Sequence, residues 1–260
     1  ADVSQTDGDW DVTNLLAPGK IGWAVGGQYA EGGRLAMFLA AEPFGFDGGT
    51  DVTVTISFRS PWIDHSFGRL RWSFAAAPDE ALATLPEGLS RWMIAGPFPV
   101  QERPQAFARE FGPELDTTID PNREFEGGLR WKPFLAMRDA AVVPLDPGVA
   151  AHYVGRRVFS PTRRRVPLSL GSDDGIRVYV NGRQAFAREV DRSATADQDL
   201  IDIDLEPGLN AVVFKIANTG GPAAIYHRVR ERIGLLEDSL AAALAPPAAR
   251  PPLLVERMSV

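Results

Sequence analysis

Short runs of alternating apolar and polar residues lie between Val166 and Ile216, and this alternation limits the possible folds more than any other feature. In 176–180 (IRVYV) every second residue is aliphatic, and Asn181-Gly182 follows directly. Successive side chains of a β-strand point to opposite faces, so a period of two predicts a half-buried strand. Asn-Gly favours the positive backbone angles of a type I′ turn. We therefore predict a β-hairpin at this position.

The same pattern recurs in 201–205 (IDIDL) and 212–216 (VVFKI), on either side of Pro207-Gly208. Pro-Gly is a turn sequence, so we expect the second run to return beside the first. With the hairpin, these runs predict an antiparallel meander or a Greek-key half with one solvated face. We expect Asp202 and Asp204 to lie on that solvated face.

The N-terminal part of the chain carries weaker β signals. The run 52–58 (VTVTISF) alternates strictly, and Leu70, Trp72 and Phe74 repeat the period of two. Glycine and proline separate these runs at the short spacing typical of sandwiches and barrels. Only about five strands fit into residues 1–78, whereas a sandwich usually has about seven, which indicates an incomplete unit. We expect Trp72 to lie in the core of this unit.

The strand pattern stops in 79–91 (DEALATLPEGLSR), where proline and glycine interrupt helix-forming residues, and it resumes at Trp92. We therefore predict an all-β protein with two jelly-roll-like β-sandwich units, an incomplete one at 1–78 and a second one at 92–234. Residues 79–91 are predicted to be a linker with a turn or two of helix. We expect Trp92 to be buried in the second unit.

A different pattern begins after about residue 230. Leu236, Leu240 and Leu244 fall at helical spacing, and prolines at 246, 247, 251 and 252 stop any helix. We predict a helical, proline-rich tail at 235–260 whose leucines pack on a sandwich.

Composition excludes several classes of function. The formal net charge is −7, and the basic residues are scattered except in Arg163-Arg164-Arg165, so no positive stripe could follow a nucleic-acid backbone. The absence of cysteine excludes disulfides and thiolate chemistry. No run approaches the length of a membrane span, and the start at Ala1 is typical of a segment cut from a longer protein. Recognised nucleophile, phosphate-binding and dinucleotide motifs are missing, so we expect a non-catalytic protein.

The sharpest local cluster is 171–175 (GSDDG), which leads into the predicted hairpin. Asp173 and Asp174 offer adjacent carboxylates in a glycine-flanked loop, and Ca²⁺ takes six to eight such hard oxygens. The same residues also make a good turn, because Asp bonds its own backbone and Gly tolerates left-handed angles. A calcium site and a plain turn are the two alternatives.

Aromatic residues give a second candidate site. Sugar rings stack their apolar C–H faces on aromatic side chains while their hydroxyls bond to nearby polar groups. Trp62, Asp64 and His65 follow Pro61 at the end of a predicted strand, and Trp23 and Tyr29 flank a Gly-Gly pair. These five residues are candidate ligand contacts, with burial in a core as the alternative for each tryptophan.

Several stretches resemble the central β-rich region of the large multidomain proteins of planctomycetes and related bacteria. In that family a cytochrome-c-like domain and domains of unknown function surround a carbohydrate-binding-like sandwich. The resemblance is carried by GWAV at 22–25, FGFDGG at 44–49, DVTVTISFRS at 51–60, HSFGRLRWS at 65–73, WMIAGPF at 92–98, LSLGSDDGIRVYVNG at 168–182, DQD at 197–199 and PGLNAVVFKIANTGG at 207–221.

The SDDG-strand-NG pattern is also similar to protective-antigen-type and galactose-binding-like sandwiches, some of which bind glycans through Ca²⁺ held by adjacent aspartates. The two resemblances imply an extracytoplasmic, carbohydrate-binding-like module that holds polysaccharide. The alternative is a structural spacer or docking domain that orients neighbouring domains or a partner subunit and has no glycan ligand. The spacing of residues does not separate these two functions.

Overall fold

The structure, a computed structural model, describes residues 12–16, 22–24, 36–40, 42–58, 70–72, 74, 76 and 79–231. Its main body is a sandwich of two antiparallel β-sheets with few helices. The all-β class is therefore confirmed. The α-helices are short: α1 spans Asp79–Ala83 and α2 spans Arg103–Ala108, and 3₁₀ turns occupy Val12–Leu16, Pro113–Leu115 and Glu126–Gly128.

The larger sheet consists of β1 (Gly88–Leu89), β2 (Met93–Pro99), β3 (Lys132–Pro133), β5 (Ala150–Ser160), β7 (Gly175–Val180), β8 (Arg183–Arg188) and β10 (Gly208–Asn218). The strand order is β3-β2-β5-β10-β7-β8, and β1 also pairs with β5. The β7–β8 hairpin was predicted and is confirmed. Val180 pairs with Arg183 around Asn181 and Gly182, whose φ angles are 51° and 76°.

The smaller sheet consists of β4 (Val142–Leu145), β6 (Arg164–Asp173), β9 (Asp199–Leu205) and β11 (Ala223–Val229). The strand order is β4-β11-β6-β9. The outer face of this sheet carries cross-strand ion pairs. Asp204 lies 3.3 Å from Arg165, and Asp202 lies 3.4 Å from Arg230. Both aspartates are on the solvated side, as the alternation predicted.

The inner core fills the space between the two sheets. Trp92, predicted to be buried, belongs to it. The larger sheet contributes the inward-facing aliphatic and aromatic residues of β5, β7 and β10, and the smaller sheet contributes those of β6, β9 and β11. These residues include Val154, Ile176, Val178, Val212, Phe214, Ile216, Leu168, Leu170, Ile203, Leu205 and Ile225.

A second core covers the opposite face of the larger sheet. The segment 100–131 folds back over β2, β5 and β10, and its apolar residues pack on Tyr153 and Val213. Phe111, Ile119, Phe125 and Trp131 are buried there, together with Phe98 of β2. We call this segment the outer cover. The sequence prediction of one solvated face is therefore wrong for β5 and β10 of the larger sheet, because the outer cover removes that face of these strands from water, whereas β8 stays exposed.

Buried polar groups fasten the outer cover to the sheet. The hydroxyl of Tyr153 donates to Glu114 at 2.6 Å, and the ammonium of Lys215 donates to the carbonyl oxygens of Phe107, at 2.9 Å, and of Arg109. Desolvation lowers the pKa of Lys215 to about 8, although Glu114 favours the charged form. Each bond therefore satisfies a group that burial would otherwise penalise.

Asp116 organises the fold of the outer cover itself. Its carboxylate accepts hydrogen bonds from the backbone N–H and the hydroxyl of Thr118, from the N–H groups of Ile119 and Asp120, and from the indole of Trp131. Burial alone would raise the pKa of Asp116, but these donors hold it below the usual value. The charged carboxylate is thus the stable form in this position.

The strands around Pro207-Gly208 do not pair with each other as predicted. β9 belongs to the smaller sheet, where it pairs with β6, whereas β10 lies in the larger sheet between β5 and β7. The turn therefore carries the chain from one sheet to the other. A turn sequence fixes where the chain reverses, but the partner of each strand is decided by which apolar face it can cover.

The described residues before 79 contain no strand. Residues 52–58 were predicted to form one, but Val52 and Val54 are exposed, and Trp72 is 41% exposed rather than buried. Alternation stabilises a strand only where a partner pairs its backbone and a surface covers its apolar side. The first sandwich unit stays a prediction, and the predicted tail at 235–260 lies outside the described residues.

His152 is the least satisfied buried group of the sandwich interior. It is fully buried on β5, on the same face as Val154, and neither ring nitrogen has a partner with hydrogen-bonding geometry in the described part of the chain. Desolvation lowers the pKa of His152 to about 4, although Asp146 lies near enough to favour the protonated form. The imidazole is therefore neutral in the folded protein at neutral pH.

This burial predicts a specific loss of stability in acid. The folded-state pKa lies below the ordinary value of 6.5, so the unfolded chain takes up the proton first as pH falls. The stabilisation is complete above pH 6.5, is lost between 6.5 and about 4, and amounts to about 3 kcal/mol. Urea unfolding of the wild type and His152→Leu across this range should show the extra slope in the wild type only. Equal slopes would contradict the assignment.

Candidate functional site at the Asp173–Asp174 corner

The two aspartates singled out from the sequence lie where the chain crosses between the sheets. Asp173 is the last residue of β6 in the smaller sheet, and Gly175 is the first residue of β7 in the larger sheet. Asp174 alone connects them, and the peptide bond between the two aspartates is cis. We call this junction, with the neighbouring loop 189–198, the acidic corner.

Asp174 is buried and fully bonded. One carboxylate oxygen accepts from the N–H of Arg192 at 2.9 Å, and the other accepts from the N–H and the hydroxyl of Thr219, at 2.8 and 2.7 Å. Burial would raise the pKa of Asp174, but these donors hold it below the usual value. A single carboxylate thereby ties together the β6–β7, β8–β9 and β10–β11 connections.

Asp173 has the opposite environment. Among the described residues, no hydrogen bond or ion pair involves its side chain, which is partly exposed. Desolvation raises the pKa of Asp173, and the negative charges of Asp174 and Asp191 raise it further. No described residue therefore compensates the negative charge of this carboxylate, and a bound cation would stabilise it.

The loop 189–198 holds the corner in place from the side of the smaller sheet. The guanidinium of Arg192 donates to the hydroxyl of Ser172 at 2.9 Å and pairs with the buried carboxylate of Asp199. Arg188 of β8 also pairs with Asp199, at 2.9 Å. These ion pairs join the edge strands of the two sheets next to Asp174.

The glycines of the GSDDG motif are required by close packing. A Cβ atom at Gly171 would overlap the carbonyl oxygen of Thr195 in the loop 189–198. A Cβ atom at Gly175 would lie 2.9 Å from the ring of Phe107 in α2. The loop and α2 therefore approach the corner from its two sides, and only glycine leaves room for both.

The calcium site and the plain turn proposed from the sequence both stay predictions, but the surroundings of the two aspartates differ. Both oxygens of Asp174 are occupied by protein donors, which is the structural use of an aspartate in a turn. Among the described residues, no donor bonds to the carboxylate of Asp173, and the exposed Asp191 lies beside Asp174. In the part of the chain that the structure describes, no group of three or more His, Cys, Asp or Glu side chains is arranged to hold a metal ion.

Most of the predicted aromatic contacts lie outside the described residues. This applies to Tyr29, Trp62, Asp64 and His65, whereas Trp23 is described and is partly buried. Sequence reasoning missed Arg192 and Thr219, which complete the corner from 18 and 45 residues away from Asp174. No local pattern marks either residue, because each reaches Asp174 through a backbone N–H that every sequence offers, and their side-chain partners lie far away in the sequence.

No protein-family model matches the sequence. The search of curated proteins gave no match either. Among solved structures, the PA14 domain of the antifreeze protein MpAFP aligns with 30% of this chain and 42% of its own length, at 12% identity and a TM-score of 0.25. The PA14 sugar-binding domain from an RTX adhesin aligns with 32% of this chain and 50% of its own length, at 20% identity and a TM-score of 0.25.

A family 35 carbohydrate binding module from Clostridium thermocellum aligns with 35% of this chain and 82% of its own length, at 19% identity and a TM-score of 0.27. The aligned parts thus cover about a third of this chain and half or less of the two PA14 domains. The similarity concerns part of the fold alone. Separately, none of the helices in the described ranges has the length and apolar character needed to cross a bilayer.

Because the two aspartates have different surroundings, an Asp→Asn substitution should affect the free energy of unfolding differently at the two positions. Without divalent cations, Asp174→Asn should lower the free energy of unfolding by about 2–3 kcal/mol, because an amide cannot accept from all three donors and leaves a buried N–H unpaired. Asp173→Asn should leave it unchanged or raise it slightly, because the substitution removes a repelled charge. Urea unfolding at pH 7 in EDTA measures both. Equal losses in the two variants would show that Asp173 is also a structural carboxylate.

Proposed function

We propose that this chain is a non-catalytic, carbohydrate-binding-like module whose ligand is held at the acidic corner with the help of Ca²⁺. The observation that supports the proposal is the carboxylate of Asp173, which has no partner among the described residues and lies beside Asp174 and Asp191 at the junction of the two sheets. Ca²⁺ accepts oxygen ligands in flexible geometry and keeps open positions that glycan hydroxyls can fill. Asp173 and Asp191 are the residues that would hold it.

The different environments of Asp173 and Asp174 support a role of the acidic corner in calcium binding. A binding site needs groups whose positions are fixed by the scaffold before the ligand arrives. Asp174 supplies that fixation through Arg192 and Thr219, and it leaves the adjacent Asp173 unpaired. Repulsion among crowded carboxylates is tolerable in water and becomes favourable once a divalent cation neutralises it.

The proposal also includes the location of the protein and the family of the longer protein. We infer an extracytoplasmic protein of the planctomycete-type multidomain family, in which this chain holds polysaccharide for its neighbouring domains. Trp23, Tyr29, Trp62, Asp64 and His65 remain the proposed aromatic and polar contacts to the glycan.

A second candidate function, docking of neighbouring domains without a glycan, is favoured by a different observation. An apolar cavity of about 60 Å³ lies between the sandwich and Met37 and Leu39 of the N-terminal part of the chain. A spacer is expected to show apolar contacts at the junction between its parts. This candidate predicts no response of the acidic corner to calcium.

Calcium binding to the folded state should raise thermal stability. A ligand present at a hundredfold excess over its Kd adds about 2.7 kcal/mol. We expect millimolar Ca²⁺ to raise the Tm of the wild type and to leave the Tm of Asp173→Asn unchanged. Asp204→Asn is the matched control, because Asp204 is exposed on the outer face of the smaller sheet and pairs with Arg165. It should keep the full calcium response.

A glycan array probed with and without Ca²⁺ completes the test. Calcium-dependent binding that Asp173→Asn loses and Asp204→Asn keeps supports the proposal. Binding that is independent of Ca²⁺ and of Asp173 moves the glycan site to the aromatic contacts. The absence of both a calcium shift and glycan binding would leave the docking function.

A further inference from the structure

Lys215 of β10 is buried beneath the outer cover, with an exposed fraction of 1%. Its ammonium donates to the carbonyl oxygens of Phe107, at 2.9 Å, and of Arg109, which lie at the end of α2. The rings of Phe111 and Tyr153 have their centroids 5.5 and 5.7 Å from the Nζ atom. Among the described residues, the hydrogen-bond partners of this charge are therefore neutral carbonyl groups.

The carboxylate of Glu114 is the charged group that faces Lys215 from the outer cover. It accepts hydrogen bonds from the hydroxyl of Tyr153 at 2.6 Å and from the N–H groups of Phe111 and Gly112, at 3.3 and 2.6 Å. Glu114 thus attracts the charge of Lys215 at a distance but is bonded to other donors.

The remaining titratable neighbours of Lys215 have opposing or no charge. Glu110 favours the charged form of Lys215, whereas Arg177, its register partner on β7, disfavours it. Burial raises the pKa of both Tyr153 and Tyr179, so these hydroxyls stay neutral. Desolvation outweighs the two glutamates and lowers the pKa of Lys215 from 10.5 to about 8.

Loss of the proton does not cost Lys215 its two carbonyl partners. A neutral amine keeps two N–H groups, and two carbonyl oxygens accept from this nitrogen. Deprotonation therefore removes the penalty of burying a charge while both carbonyl oxygens keep a donor. If α2 leaves the sheet, the amine reaches water and regains its ordinary affinity for a proton.

We propose that Lys215 is a proton-linked latch, which holds the 103–112 end of the outer cover on the larger sheet more firmly as a neutral amine than as an ammonium. Above about pH 8 the closed form has lost the proton, and opening takes it up again until the pH reaches the ordinary value of 10.5. The closed form is therefore stabilised progressively as pH rises through this window.

The latch adjoins the acidic corner. The guanidinium of Arg177 lies 4.3 Å from the centroid of the Phe107 ring in α2. The same ring leaves no room for a side chain at Gly175, the residue after Asp174, because a Cβ atom there would lie 2.9 Å from it. The latch does not depend on whether the corner binds calcium or a glycan.

Hydrogen exchange of the full chain in EDTA, followed by mass spectrometry, measures the latch. The protection factor of amides in 105–112, which is the intrinsic exchange rate divided by the observed rate, should rise between about pH 8 and 10, by at most about tenfold per pH unit for one proton. Lys215→Met should abolish the rise, because a thioether does not titrate. Lys132→Met is the matched control, because Lys132 is exposed on β3, and it should keep the rise.

Glu110→Gln gives a second test that does not alter a buried side chain. Glu110 is exposed and favours the charged form of Lys215, so its neutralisation should move the onset of the rise to lower pH. This variant decides the matter if Lys215→Met does not fold.

Amides of β10 report global unfolding, and those in 105–112 should exchange faster than they do. The proposal is overturned if protection of 105–112 is flat or falls between about pH 8 and 10 in the wild type, or if Lys215→Met keeps the rise. Equal exchange rates in 105–112 and β10 would also overturn it, because the outer cover would then open only with the whole protein. Since no calcium or glycan is present in this experiment, its failure leaves the proposed function standing.

Discussion

The structure depends on the burial of strands β5 and β10 on both of their faces. Phe214 of β10 points into the inner core, and its neighbour Val213 points into the core beneath the outer cover. A strand enclosed in this way leaves no polar group to water, so an unpaired polar group there is costly. Tyr153 finds Glu114, and Lys215 finds the carbonyl oxygens at the end of α2. The bonds that satisfy these groups also hold the outer cover on the sheet.

The acidic corner follows the same rule at the junction of the sheets. Burial of Asp174 is tolerated because three donors from two separate connections meet its carboxylate. The adjacent Asp173 is less buried and has no such donors, so the pKa values of the two groups move in opposite directions. Asp174 therefore stabilises the fold, whereas the carboxylate of Asp173 has no donor among the described residues. That combination of a fixed support and a free carboxylate is what makes the corner the candidate site.

The parts of the fold that were predicted correctly are those governed by neighbours in sequence. The β7–β8 hairpin follows from Asn181-Gly182, and the exposure of Asp202 and Asp204 follows from the alternation of β9. The prediction that β9 pairs with β10 was wrong, because a turn sequence does not determine which strands pair with each other. The prediction that Trp72 is buried was wrong, because alternation gives a strand an apolar side but does not provide the surface that covers it. At the corner, the motif was found from sequence, whereas the roles of its two aspartates were not.

The sequence alone determined the β class, the positions of the tight turns and the presence of a glycine-flanked acidic motif, since each depends on backbone preferences or on a period of two within a few residues. Only the tertiary structure decided which sheet each strand joins, which face is covered twice and which member of an adjacent pair is buried. Arg163 and Arg164 show the reason, because they are the same residue type at neighbouring positions. Arg164 is largely buried and pairs with Glu87, whereas Arg163 is exposed and pairs with Glu206. Burial and charge compensation are set by partners distant in the chain, and a local pattern contains no information about them.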